Sequence, residues 1–169
     1  APTHLIAKKN DGFVDSVKML EGGRVSIAAL SIGMAQGAYD ASLKYSKMRK
    51  QFGRPISEFQ AIQHKLVDMA VDIDAARLLV WRAAWMARNG VPFTAGEGAM
   101  SKPQAGEVAG RESEQESQIL GGYGYTPAYP VERWPRAAQA YTIVDAASAR
   151  HRPALPPATP GALTASTAA

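Results

Sequence analysis

The chain has 169 residues, enough for about one domain that buries a core without covalent cross-links. It contains no cysteine, which removes disulfide scaffolds, thiolate metal sites and cysteine nucleophiles; its three histidines (His4, His64, His151) stand at no metal-binding spacing, so no metal centre is expected. Nineteen basic against fifteen acidic residues leave a net charge of +4 with no dense Lys/Arg run, which suits a small anionic ligand such as a phosphate better than a nucleic acid.

Residues 1–20 carry no sustained pattern and read as an N-terminal lead-in, with a turn at Lys8-Lys9-Asn10-Asp11-Gly12. Ile32, Ala35, Tyr39 and Leu43 then recur at helical spacing, and the sequence predicts a first helix from about Glu21 to Lys50, ended by the breaker Gly53-Arg54-Pro55. Ser57 with Gln60 has the form of a capping box. It precedes the cleanest segment of the chain. There Ile62, Leu66, Met69, Ile73, Ala76, Val80 and Ala83 step by four and three, a stripe that must face a core, and Asn89-Gly90 stops it.

Thr94 and Glu97 form a second capping box that opens helix three. This helix reads poorly, since Pro103, Gly106 and Gly110 all weaken a helix interior and Arg111 to Ser117 is almost wholly polar. Gly121-Gly122-Tyr123-Gly124-Tyr125 reads as a loop, and Tyr129-Pro130 opens helix four, whose stripe Val131, Trp134, Ala138, Tyr141 ends on an acid, Asp145. Residues 152–169 are rich in Ala, Pro, Ser and Thr and read as a disordered tail. With no competing strand pattern, the expectation is an all-α, up-down antiparallel four-helix bundle over 21–151. No stretch approaches the ~20 apolar residues of a membrane span and the N-terminus shows no signal-peptide pattern, so a soluble cytoplasmic protein is expected.

Four places could carry chemistry. Arg49, Lys50 and Arg54 around Gln51-Phe52-Gly53 put cations at a helix C-terminus, where the macrodipole alone favours them. The same forks could instead clamp a phosphate or pyrophosphate, with Phe52 covering an aromatic ring. The glycines at 121, 122 and 124 serve either a helix–helix connection or close approach of a ligand to backbone N–H groups. Asp145, on an apolar stripe, is either a desolvated general base or a solvated acid at a frayed end. Arg24, one turn inside the expected helix start, opposes the dipole and hints at an anionic partner. Trp81, Trp85 and Trp134 read as core or interface fillers.

Taken in order, these pieces resemble the C-terminal helical domain of the acyl-CoA dehydrogenases. The run 21–30 (EGGRVSIAAL) is similar to that family's helix start. Tyr45, Arg49 to Ile56 and Phe59-Gln60 are similar to its Y…R-x-QFG-x-PI…FQ signature, and Gln118 to Tyr125 with Pro130 to Arg133 and Arg136 to its Q…GG-x-GY…P-x-ER…R-D. The resemblance covers about residues 12–150 and implies FAD as cofactor. It implies that Arg49, Gln51 and Phe52 hold the FAD pyrophosphate and adenosine half. Gln118, Gly121 and Gly122 would reach the FAD of a neighbouring subunit in a homotetramer (a dimer of dimers), and Arg24 would lie near the acyl-CoA channel. The implied reaction is α,β-dehydrogenation of an acyl-CoA thioester, as in fatty acid metabolism, with Asp145 as candidate base.

Three departures accompany the resemblance. Asp145-Ala146-Ala147 stands where the family has EGT, Ala137 stands where it has aspartate, and these residues contain no counterpart of its N-terminal helical and middle β domains. They leave two alternatives: a non-catalytic bundle that pairs with a complete family member, and a nitroalkane-oxidase-like activity using Asp145.

Overall fold

No proline interrupts the chain between Asp11 and Arg54, and one helix, α1 (Gly12–Met48), occupies nearly all of that interval. The structure is a computed structural model that describes residues 11–93 and 96–144. Helix α1 starts nine residues before the expected Glu21, running straight through Gly22-Gly23. Local propensity disfavours that pair by about 1 kcal/mol each. Tertiary packing overrides it: a Cβ placed on Gly98 would stand 3.5 Å from the Glu21 carbonyl, so a neighbouring helix already seats on this turn. Arg24 consequently lies well inside α1, and the dipole argument that singled it out does not hold.

The C-terminus of α1 also differs. Arg49 is extended (φ −71°, ψ 123°) and its N–H donates to Tyr45 O, so the helix ends at Met48 instead of Lys50. A two-residue antiparallel pair follows, β1 (Lys50–Gln51) on β2 (Arg54–Pro55), with Lys50 opposite Pro55 and Gln51 opposite Arg54. Phe52 (φ 51°) and Gly53 (φ 81°) make the tight turn, and Phe52 is the one non-glycine with positive φ among the described residues. No alternation of two over so short a segment could have announced it.

A 3₁₀ turn over Ile56–Glu58 leads into α2 (Gln60–Arg88), whose N-cap is Phe59. The Ser57/Gln60 capping box does not form, because Ser57 is inside the 3₁₀ turn; its carbonyl accepts from Gln63 Nε2 at 3.0 Å instead. The α2 stripe is as expected. Leu66, Met69, Ile73, Ala76, Val80 and Ala83 are buried, Met86 continues the series and Ile62 is half-buried. Asn89 caps the helix, and Gly90 takes φ 66°.

Helix α3 (Glu97–Leu120) is preceded by Gly96 in the left-handed region (φ 73°); Thr94 lies outside the described residues. Far from being marginal, α3 is the helix against which α1, α2 and α4 all pack. Small side chains make this possible. Ala99, Ala105 and Ala109 are buried, and a Cβ on Gly106 would stand 3.6 Å from Tyr141 O. Its polar middle is buried as well: Glu112, Ser113 and Glu116 are each at most 1 % exposed.

After a 3₁₀ turn at Gly121–Gly124 and another at Pro130–Arg133, α4 (Trp134–Ile143) closes the bundle. It is shorter than expected, and Ala138 and the preceding Val131 supply its buried contacts. Trp134 packs partly buried against the cluster, its ring so close to α1 that a Cβ on Gly37 would stand 3.5 Å from it. Trp81 and Trp85 are not core residues; each is more than 60 % exposed on the outer face of α2.

Polar contacts fix the directions. Lys65 Nζ donates to Gln115 at 2.5 Å, Arg111 pairs with Asp72 at 2.7 Å and Arg82 meets Glu97 at 3.3 Å, so α2 runs antiparallel to α3. Lys102 Nζ donates to Thr142 O at 3.0 Å, tying the end of α4 to the start of α3. The result is the up-down four-helix arrangement. Among the described residues no helix is long and apolar enough to cross a membrane.

Ile73 and Leu78 differ only in face, the first 2 % and the second 63 % exposed. Ile73→Ala is expected to lower unfolding free energy by about 2–5 kcal/mol, and Leu78→Ala by about 0.5 kcal/mol or less, both read from urea denaturation midpoints.

Candidate functional site

Where α1 and α3 end, side by side, the chain must turn twice, and the two turns border an open cleft of ≈ 560 Å³. Tyr45, Arg49 and Gln51 line it from α1 and the hairpin, Ile56 from the following turn, and Ile119 to Tyr123 with Thr126 from the end of α3. Arg49 sits at the carbonyl end of α1, where a cation is stabilised by the helix dipole, and remains exposed to a ligand.

Gly121 is φ 61°, ψ −136°, a conformation that side-chain-bearing residues seldom adopt, and its N–H closes α3 by donating to Gln118 O. That amide is therefore used internally. What Gly121 and Gly122 offer is room, since a Cβ on either would meet nothing within 4 Å. Gly124 is different. A Cβ there would stand 2.6 Å from Ser117 O, so the glycine turn is folded hard against the last turns of α3.

Arg49, Gln51, Gly121 and Gly122, widely separated in sequence, thus line one cleft. Phe52 and Gln118 do not line it. Phe52 is 93 % exposed at the hairpin tip, 6.1 Å edge-to-face from Phe59, whose ring carries the Arg54 guanidinium at 4.3 Å. Gln118 is exposed on the outside of α3. Arg24 is half-buried on α1, 25 residues before Arg49 at the helix end and roughly 37 Å away along the axis. Its Nε is buried without a partner among the described residues. Asp145 lies outside the described residues; the chain leading to it, at Thr142, is held against Lys102 near the Arg24 end of the bundle.

Residue-by-residue reading missed the cleft tyrosines, Tyr45 and Tyr123, and Tyr129 packed behind them. Tyr45 and Tyr129 meet edge-to-face with centroids 5.8 Å apart, and Tyr123 and Tyr129 at 5.7 Å. Burial pushes the Tyr45 phenol above its ordinary pKa, partly opposed by the Arg49 charge. The signal was present as the one-turn spacing of Tyr45 and Arg49, which puts both on one face. Among the described residues no cluster of three or more His, Asp or Glu is arranged to hold a metal ion. A cation, an amide and open glycine backbone beside an aromatic wall match a phosphorylated aromatic ligand such as a nucleotide.

A family profile described as "Acyl-CoA dehydrogenase, C-terminal domain" matches residues 10–154. The chain is 50% identical over 145 residues to a probable acyl-CoA dehydrogenase of Bacillus subtilis, covering 86% of this chain and 38% of that protein. It is 43% identical over 143 residues to a caffeyl-CoA reductase–Etf complex subunit of Acetobacterium woodii, covering 85% and 38%. Among solved structures, butyryl-CoA dehydrogenase from Megasphaera elsdenii superposes with a TM-score of 0.84 at 40% identity, covering 86% of this chain and 38% of that one. The chain thus spans about two-fifths of the length of the relatives it matches.

The crowding at Gly124 and the openness at Gly122 make a matched pair. Gly124→Ala is expected to cost about 2 kcal/mol or more, and to change the near-ultraviolet dichroism of the neighbouring tyrosines, whereas Gly122→Ala leaves both unfolding midpoint and spectrum as in the parent.

Proposed function

The chain belongs to the acyl-CoA dehydrogenase family, and from that premise we propose that it is the FAD-holding C-terminal domain of an oxidoreductase acting on the CH–CH bond of an acyl-CoA thioester. The observation that carries this reading is the convergence of Arg49, Gln51, Gly121 and Gly122 on one cleft. Arg49 binds the pyrophosphate through a charge-assisted fork, Gln51 orients it, and the two glycines admit it without a Cβ in the way. Tyr45 and Tyr123 exclude water from the apolar side of the same cleft. When bound, FAD supplies the hydride acceptor for the β-carbon of the thioester. Asp145 receives the α-proton on a side-chain oxygen, and being one methylene shorter than glutamate it reaches less far into the substrate.

The separation between the Arg49 cleft and the Arg24 end supports an oligomer. The resemblance implies a flavin shared between protomers, and a distance of roughly 37 Å along α1 between the two ends agrees with such sharing. Exposed Phe52 and Gln118 then face that neighbour, and Arg24 faces the acyl-CoA. We therefore propose a dimer of dimers, in which further domains complete the pocket. The alternative, a bundle that pairs with a complete family member and performs no chemistry, draws support from the exposed Val71, Leu78, Trp81 and Trp85 on α2.

FAD binding is expected to be measurable by equilibrium dialysis and weakened about 10- to 100-fold by Arg49→Ala, the equivalent of one charged hydrogen bond; unchanged affinity would remove Arg49 from the site. Acyl-CoA-dependent bleaching of the bound flavin is expected to disappear in Asp145→Asn. A chain that retains no flavin alone but does so when mixed with a full-length relative, co-eluting with it by size, would decide for the pairing reading.

A further inference from the structure

The core stripe of α3 runs through Ala105, Ala109, Glu112, Glu116 and Leu120, and two of those five positions are carboxylic acids. They are not equivalent. Glu112, 1 % exposed, accepts from Arg111 Nε at 3.3 Å, and Arg111 in turn holds Asp72 across to α2. Glu116, one turn later and 0 % exposed, has no hydrogen-bond partner among the described residues on either side-chain oxygen. Ionised, such a group would be among the costliest in the molecule; uncharged, it is a modest polar intrusion.

Its described surroundings offer no counter-charge. The Lys65–Gln115 and Arg111–Asp72 contacts set the α2 register, placing Leu66 and Met69 at the level of Glu116, with Lys65 committed to Gln115 and Asp68 exposed. From α1 the ionisable groups at this level are Tyr39 and Tyr45, with Asp40 and Lys44 exposed, while Ser42 presents a buried hydroxyl that is itself without a partner among the described residues. From the α4 side, Glu132 is paired with Arg136 and Arg133 is exposed. Burial alone displaces the Glu116 carboxyl, which is pushed up to about 8. The position of Glu116 also matters, because the next turn of α3 is Ile119, Leu120 and Gly121, the wall of the cleft.

We propose that Glu116 is a proton-operated latch: the end of α3 holds its place in the bundle while Glu116 is uncharged, and losing that proton drives the side chain toward water and loosens the α3 wall of the cleft. This goes beyond flavin binding and does not rest on it. The sign follows from linkage. A carboxyl held protonated by folding contributes stability that is full below its unfolded value, near 4.5, and is lost as pH rises to about 8.

The test uses the 169-residue chain without flavin, so that its failure is distinguishable from failure of the cofactor reading. Urea unfolding between about pH 5 and pH 8 is expected to show the folded-to-unfolded ratio falling by up to about tenfold per pH unit. Glu116→Gln, which keeps the shape and cannot ionise, is expected to remove most of that dependence, and Glu112→Gln to retain most of it, since burial raises the Glu112 carboxyl too but Arg111 opposes the shift. Hydrogen exchange of residues 117–121, corrected for intrinsic rate, should rise with pH in the parent and stay flat in Glu116→Gln. A Glu116→Gln chain with the parental pH slope would overturn the latch. A pH-dependent global stability with unchanged protection at 117–121 would overturn its link to the cleft. Should Glu116→Gln not fold, Glu116→Leu, which fills the same space without a polar atom, carries the same two outcomes.

Discussion

The burial of α3 among three other helices constrains every other position, because a helix with neighbours on three sides keeps only a narrow stripe for water, here Glu107, Arg111, Glu114 and Gln118. Close approach there requires side chains no larger than alanine or serine at the crossing points, and α3 supplies Ala99, Ser101, Ala105, Gly106 and Ala109 in its first turns. The small residues that weaken α3 as an isolated helix are thus what let it be the centre of the bundle. Pro103 and the glycines cost a few kcal/mol of intrinsic propensity. Burial of the surrounding Ile32, Ile73, Val80 and Val108, each worth about 1.5–3 kcal/mol, outweighs it.

The cleft is a consequence of the same arrangement. Helices α1 and α3 run parallel and end at the same level, so two chain reversals, a hairpin and a glycine-rich 3₁₀ turn, have to be made next to each other. Their shared space collects unsatisfied helix-end carbonyls, which favour a cation, and Arg49 is placed there by the geometry of the α1 C-terminus. The cleft at this end and the Arg24 end of α1 are held apart by the length of one long helix.

Some of this was legible in advance, and the reason differs by element. The α2 stripe from Leu66 to Ala83 could be read because its buried face is apolar and its exposed face carries Asp68, Asp74 and Arg82, so periodicity and burial agree. The breakers at Gly53-Arg54-Pro55 and Asn89-Gly90 could be read because backbone stereochemistry is local. The capping box at Ser57 could not be judged that way; whether a serine caps depends on the conformation of the residues after it, here a 3₁₀ turn that delays the helix to Gln60. The start of α1 at Gly12 lay outside what periodicity could show, because residues 12–20 carry no sustained pattern and the contact of α3 with the Glu21 carbonyl is tertiary.

By itself, the sequence determined the helical class, the position and core face of α2, the chain stops, and, through three motifs in order, the family. All of these depend on residue identity at fixed short spacing. Tertiary structure alone decided that the polar α3 is central, that Glu116 is enclosed without a partner among the described residues, that Tyr45 and Tyr123 wall the cleft, and that Phe52 and Gln118 stand outside it. Those outcomes depend on which surfaces meet across many residues of separation. A local penalty near 1 kcal/mol per residue is small against the summed burial that chooses the meeting.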